Sequence, residues 1–301
     1  MMRADCSIHG GAAGDGGADA PARAAFVHPL LGDWQHGVPP FAAADAYTVD
    51  VLERMRHTAV ERDGCDRPVF VPQDAALLAD GLHYEQRIAE RGVLATRERN
   101  AHDFFNALVW LRHPQLKHAL NTRQVADLRV AGPKLRTRGQ CALTHFDEAG
   151  AIVWLADRTL LAHWDAHDWE RLFRENRSAW GERIAVSVFG HALVEHVWSG
   201  HDLPVAKALV VEVSDPAWIA ARAGEGALIA AAPLAEPALA EAIAGGCLLA
   251  DPQELRPLPF AGIPGWHVHG AAPDFLRTAA CFRPLRPGRR YPPPWGPVAV
   301  V

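Results

Sequence analysis

Lysine is nearly missing from this chain: it occurs at Lys117, Lys134 and Lys207 only, and arginine supplies the other 27 of 30 basic residues. Codon bias accounts for such totals, but a lysine kept inside a polar stretch marks a place where a compact, deprotonatable ammonium does what a guanidinium cannot. Cysteine is scarce as well. Cys6, Cys65, Cys141, Cys247 and Cys281 are odd in number and widely spaced, which excludes a CxxC zinc knuckle, a redox pair and a disulfide framework, and marks them as reduced packing residues. No apolar run approaches the roughly 20 residues of a membrane helix. The start, MMRADCSIHGGAAGDGG, has no apolar core of the secretory kind, so the expected location is the cytoplasm and no membrane partner is expected. With 35 acidic residues against 30 basic and a formal charge of −5, a surface built to neutralise many phosphates is not expected, nor is nucleic acid as a partner. A Gly-rich phosphate loop and a GxSxG elbow are also lacking, since GAAGDGGADA follows no strand and opens no helix.

What is present is a chain of 301 residues, 49% hydrophobic, long enough for one large core. Residues 1–25 are dominated by Gly and Ala and read as a disordered tail. Residues 26–284 read as one globular domain, and 285–301 as a proline-rich tail restricted to extended conformations, with Trp295 available to lie on the body. Within the domain, AADAYTVDVLERMRHTAV predicts a helix, HYEQRIAERGVLAT an extended segment around a turn, and residues 102–113 and 114–128 two helices broken at Pro114. CALTHFDEAGAIVWLAD predicts a hairpin turning at Glu148-Ala149-Gly150, GERIAVSVFGHALVEHVWSG one helix, and AKALVVEV a buried strand. The fold class expected is α+β: a helix-rich single domain with a small, mainly antiparallel sheet.

Three stretches could carry chemistry. At about 100° per residue, the helix of NAHDFFNALVW places His102, Asp103, Asn106, Trp110 and His113 on one arc, opposite Phe104, Leu108 and Leu111. That face lacks the long charged residues of a solvated helix and suits a cleft, although capping alone would explain Asp103. On the next helix Lys117, Asn121 and Gln124 share a stripe, which reads either as a solvated face or as donors facing the same cleft. In FGHALVEH, His191 and Glu195 stack four residues apart on an otherwise apolar stripe with Ile184, Val188 and Trp198. Such a pair is a histidine oriented by its carboxylate, two ligands of one metal, or a hydrogen-bonded core histidine. It is not HExxH, so the metalloprotease mechanism does not follow. Asp147 adds a carboxylate at the expected turn.

Taken together, TRERNAHDFFNALVWLRHPQLKHALN, LTHFDEAGAIV, HDWERLF, VFGHALVEH and FAGIPGW...CFRP resemble a bacterial family defined only as a domain of unknown function, over residues 68–284. The resemblance implies that His102, Asp103, Asn106, Trp110, Lys117, Asn121, Asp147, His191 and Glu195 occupy family motif positions, but it implies no activity. The chain departs from the family after GIPGW, where HVHGAAPDFLRT replaces a more acidic segment and Asp274 is the lone carboxylate.

The reading that follows is a hydrolase with one polar cleft for a small-molecule or peptide ligand. His191 oriented by Glu195 is base or metal ligand, and His102 and Asp103 are acid or further ligands. Asn106, Trp110, Lys117 and Asn121 hold substrate. A divalent metal is the cofactor considered, with His102, Asp103, Asp147, His191 and Glu195 as candidate ligands. The alternative is a non-catalytic binding module in which the same residues form a structural polar network.

Overall fold

The computed structural model describes residues 28–35, 47–132, 135–222, 228 and 236–298; the N-terminal Gly/Ala tail lies outside them. Its first part is helical, with α1 (Pro29–Gln35) and α2 (Val49–Asp63), then strand β1 (Val69–Pro72), α3 (Ala75–Leu78), α4 (Tyr84–Arg91) and β2 (Val93–Thr96). α4 corrects the extended reading of HYEQRIAERG: His83 and Gln86 close a reciprocal capping box, and Gly92 ends the helix at φ 63°. Next come α5 (Ala101–Arg112) and α6 (Pro114–Ala131). Asn100 caps α5 by accepting from the Asp103 amide, and Pro114 opens α6 at its first turn, so the predicted helix break falls where expected.

α7 (Arg138–Ala149) runs directly into β3 (Gly150–Leu155), so no hairpin forms at Glu148-Ala149-Gly150. Thr137 and Gln140 form a second capping box, and that Thr-x-x-Gln signature in the sequence outweighs the turn propensity of Glu-Ala-Gly. After α8 (Arg158–Asp165), the segment read as one long helix divides into β4 (Ile184–Val188) and α9 (His191–Trp198). Ile184, Val186 and Val188 are β-branched and fully buried between layers, where a strand packs them better than a helix. Ile184 and Val188 therefore share no stripe with His191. The chain continues through β5 (Val205–Val213), α10 (Pro216–Arg222), α11 (Glu236–Ala244), β6 (Arg256–Pro259), α12 (Pro273–Thr278) and β7 (Trp295–Val298).

The fold is α+β, but its sheet is mixed, which corrects the expectation of mainly antiparallel pairing. β3 pairs antiparallel with β4 and parallel with β5. The outer edge of β5 takes β6 antiparallel along Val205–Ala208 and β7 parallel near Val211–Val213. β1 and β2 form a separate parallel pair. Long crossings through helices, such as β3 to β5 by way of α8 and α9, permit the parallel pairs. Trp295 thus meets the body as part of a strand.

β3 and β4 are buried along their whole length, and Trp154 of β3 satisfies its indole by donating to Ser187 Oγ of β4 at 2.9 Å. Four described cysteines, Cys65, Cys141, Cys247 and Cys281, are free thiols. No described helix is long and apolar enough to cross a membrane.

Candidate functional site

Two glycines set the position of the site. The amides of Phe189 and Gly190 both donate to the Gly150 carbonyl, at 3.0 and 2.8 Å, which pins the start of α9 against the α7–β3 junction. A Cβ on Gly190 would meet Ala149 Cα and the Glu148 carbonyl oxygen at 2.6 Å. This approach sets His191, the first residue of α9, beside Glu148, the penultimate residue of α7. α5 packs across α9 and supplies His102.

There the atoms converge. His191 Nε2 lies 3.1 Å from His102 Nε2 and 3.3 Å from Glu148 Oε2. The Nε2 atoms and the Glu148 oxygen lie within 4.8 Å of one another, a grouping in which these three residues could hold a metal ion. On its far side His102 Nδ1 donates to Glu195 Oε2 at 2.8 Å. That bond fixes the tautomer, leaving the His102 Nε2 lone pair directed at His191 and Glu148.

The electrostatics separate the two histidines. The hydrogen bond that His102 donates to Glu195 raises the His102 pKa above its ordinary value, outweighing burial. Burial lowers His191 to about 4 against the attraction of Asp147, with Lys117 and His102 adding to the lowering. His191 is therefore neutral at pH 7, the form that can act as a ligand. Its buried Nδ1 makes no hydrogen bond of good geometry, the Asp147 backbone giving the ring only a weak one. Glu148 is raised, first by desolvation and then by neighbouring Asp147. Both carboxylates sit at the C-terminal end of α7, where the helix dipole is negative. The junction accordingly favours a cation.

Lys117 supplies one. Its Nζ donates to Asp147 Oδ1 at 2.6 Å and Asn106 Oδ1 at 2.9 Å, and lies 5.4 Å from the centre of the Trp110 ring. Asn106 in turn donates to Tyr84 Oη at 2.8 Å, and Asn121 donates to Glu85 Oε2 at 2.6 Å. Burial would raise the Asp147 pKa, but Lys117 first and His191 next hold it below the ordinary carboxylate range. α4, α5, α6 and α7 are tied together by this network.

A cleft of about 390 Å³ opens over these residues, with Asn106, Asp147, Glu148, His102 and His191 in its wall. That volume suits a small molecule. Trp110, Lys117 and Asn121, expected to hold substrate, do not line this cleft; they are buried beneath its wall at 1%, 4% and 5% exposure. Asp103 borders the cleft, but Arg97 holds it through both guanidinium bonds and its own backbone amide. The three-residue cluster thus contains Glu148 where Asp103, Asp147 or Glu195 had been expected as ligands; Asp147 is bound to Lys117, and Glu195 stands behind His102. His113 turns away and pairs with Glu236 at 3.3 Å.

Glu148 escaped the sequence reading because a turn was expected there. The capping box at Thr137 would have carried the helix through it. Tyr84 and Glu85 escaped in the same way, on a helix read as extended chain.

The motif "Protein of unknown function (DUF3025)" matches residues 69–286. The chain belongs to the DUF3025 family. No curated protein and no solved structure matches it. Every residue of the DUF3025 cluster and its supporting network lies inside the matched span. The segment after Trp266 borders a separate hollow of about 620 Å³ and not the cleft.

Proposed function

We propose that this DUF3025 protein is a metal-dependent hydrolase acting on a small-molecule or peptide ligand in the cleft. The observation that carries the reading is the spacing of the donor atoms. Ligands bound at 2.0–2.1 Å around a tetrahedral ion stand roughly 3.3–3.4 Å apart, close to the 3.1 and 3.3 Å found between His191 and its two neighbours. Two imidazoles and one carboxylate leave a fourth position open toward the cleft, the pattern of catalytic rather than structural zinc. A bound ion would supply Lewis acidity and a nucleophilic water near neutral pH. Glu195 then serves as the outer carboxylate that orients a ligating histidine.

The chain's own residues have distinct parts in this proposal. His102, His191 and Glu148 hold the ion. Asp147, ionised by Lys117, is the carboxylate in the cleft wall placed to accept a proton from the attacking water. Asn106 and Tyr84 offer polar contacts to the substrate from the cleft wall. The alternative, a non-catalytic binding module, is favoured by one observation, the buried Lys117 network, which by itself needs no chemistry to explain it.

Elemental analysis of the purified, untagged protein by mass spectrometry decides between them. Close to one zinc per chain is expected in the wild type, none in His102→Ala or His191→Ala, and 10- to 100-fold weaker zinc retention in Glu195→Gln. Metal-free protein that also fails to take up zinc in titration would remove the hydrolase reading and leave the binding module. Stoichiometric iron would also overturn hydrolysis, because the same donor set serves iron oxygenases.

A further inference from the structure

A second hollow, of about 570 Å³, lies on the other side of α7 from the cleft, where β5 begins. His145 of α7 borders it, while Asp147 and Glu148 of the same helix face the first cleft. Its charge is opposite to that of the chain as a whole. Lys207, Arg283, Arg286 and Arg289 line it, and no carboxylate does. In a protein of net charge −5, four cations gathered around one concavity are not a sampling accident of surface composition.

These cations have little to hold. Among the described residues Lys207, Arg283 and Arg286 have no side-chain hydrogen bond or ion pair, and Arg289 donates to the Gln253 carbonyl and lies over the Tyr291 ring. Of the nearby carboxylates, Asp251 is bound through two bonds by Arg138 and acts on Arg289 only through space, Asp165 is bound by Arg256, and Asp202, beside Leu203, lines the neighbouring hollow instead. Lys207 is half-buried at the start of β5, and burial first, then Arg286, Arg283 and Arg289, lower its pKa. Mutually repelling cations around a half-buried lysine, with no carboxylate bonded to Lys207, Arg283 or Arg286 among the described residues, suit an anion.

The hollow is also braced. The Arg283 carbonyl accepts hydrogen bonds from the His167 ring at 3.0 Å and from Trp169 Nε1 at 2.9 Å. The other ring nitrogen of His167 then accepts from Tyr291 Oη at 2.9 Å. The arginine-bearing segment is thereby fastened to the body at both ends, which fixes the backbone that carries the guanidinium groups before a ligand arrives. Leu203, Val205, Leu255 and Pro257 supply an apolar wall beside the charges.

We infer that this hollow binds a small diphosphate ester, the two phosphoryl groups lying among Lys207, Arg283, Arg286 and Arg289 and the organic part against Leu203, Val205 and Pro257. A single carboxylate would leave most of the positive charge unpaired, and the concave shape suits a small molecule better than a nucleic-acid backbone or a membrane face. The site goes beyond the hydrolase reading and does not depend on it.

The test is isothermal titration calorimetry of the full chain in EDTA, so that no metal ion takes part, with adenosine, AMP, ADP, inorganic pyrophosphate and a 20-nucleotide single strand as probes. ADP is expected to bind one to one. AMP is expected to bind at least tenfold more weakly, adenosine not at all, and pyrophosphate between ADP and AMP. Arg286→Ala, whose side chain is exposed and whose loss leaves the core alone, is expected to weaken ADP about tenfold, and Lys207→Met by as much with an unchanged melting temperature. His102→Ala should leave ADP binding as it is. Absence of saturable ADP and pyrophosphate binding, equal affinities of AMP and ADP, or wild-type affinity in Arg286→Ala and Lys207→Met would each overturn the assignment. So would tighter binding of the single strand than of ADP, lost in the same variants.

Discussion

Gly190→Ala is expected to lower the melting temperature by about 4–6 °C, the equivalent of about 3 kcal/mol for a protein of this size. The methyl group would fall within 2.6 Å of both Ala149 Cα and the Glu148 carbonyl oxygen. All the atoms it meets are backbone, so no side-chain rotation relieves the overlap. α9 must move away from the α7–β3 junction, breaking the bonds from Phe189 and Gly190 to the Gly150 carbonyl. The same motion carries His191 away from Glu148, so zinc retention should fall together with stability. Thermal melts with parallel metal analysis check both. A melting temperature within 2 °C of wild type would mean that the two backbones do not approach as closely as described.

Lys117→Met removes, from beneath the cleft, the cation that does most to hold Asp147 ionised. Stripping one partner from a buried ion pair commonly costs 3–5 kcal/mol. Here Asp147 keeps 26% side-chain exposure toward the cleft, so water relieves part of the penalty and about 2–4 kcal/mol is expected. The pH dependence carries the sign. The folded-state pKa of Asp147 lies below its ordinary 3.8, so the stability it contributes is present above about 3.8 and is lost as pH falls through the lower folded value. Without Lys117 the carboxylate is no longer favoured, its pKa rises, and the variant should regain ground on wild type as the pH is lowered from neutral into the carboxylate range. Urea unfolding at pH 7 and pH 4 measures this. A destabilisation equal at both pH values would show that lost packing around the lysine stem, and not the charge, sets the cost. Adding Asp147→Asn to Lys117→Met should recover part of the loss at pH 7, because no orphaned charge is left.

Several features of this protein were decided by local sequence. The α5–α6 break follows from Pro114, which cannot donate within a preceding helix and suits a first turn. β5 follows from the run AKALVVEV, whose β-branched residues suit a strand covered on both faces. The polar arc of His102, Asp103 and Asn106 and the i, i+4 pair of His191 and Glu195 are likewise set by helical periodicity. Two capping boxes, at His83 and Thr137, were equally local and would have placed Tyr84, Glu85 and Glu148 on helices.

Only the tertiary structure decided which of these polar residues meet. His102 and Glu195 are 93 residues apart, and Lys117 and Asp147 are 30 apart; no periodicity within one element relates them. Whether Lys117 faces solvent, substrate or a buried carboxylate depends on how α6 packs against α5 and α7, and packing turned it inward. The mixed sheet has the same origin: a strand run carries information about its own burial but none about the direction of its neighbour, which is set by where the intervening helices can cross. Glu148 joins His102 and His191 because two glycines let two backbones touch, a contact that exists only once both segments are folded.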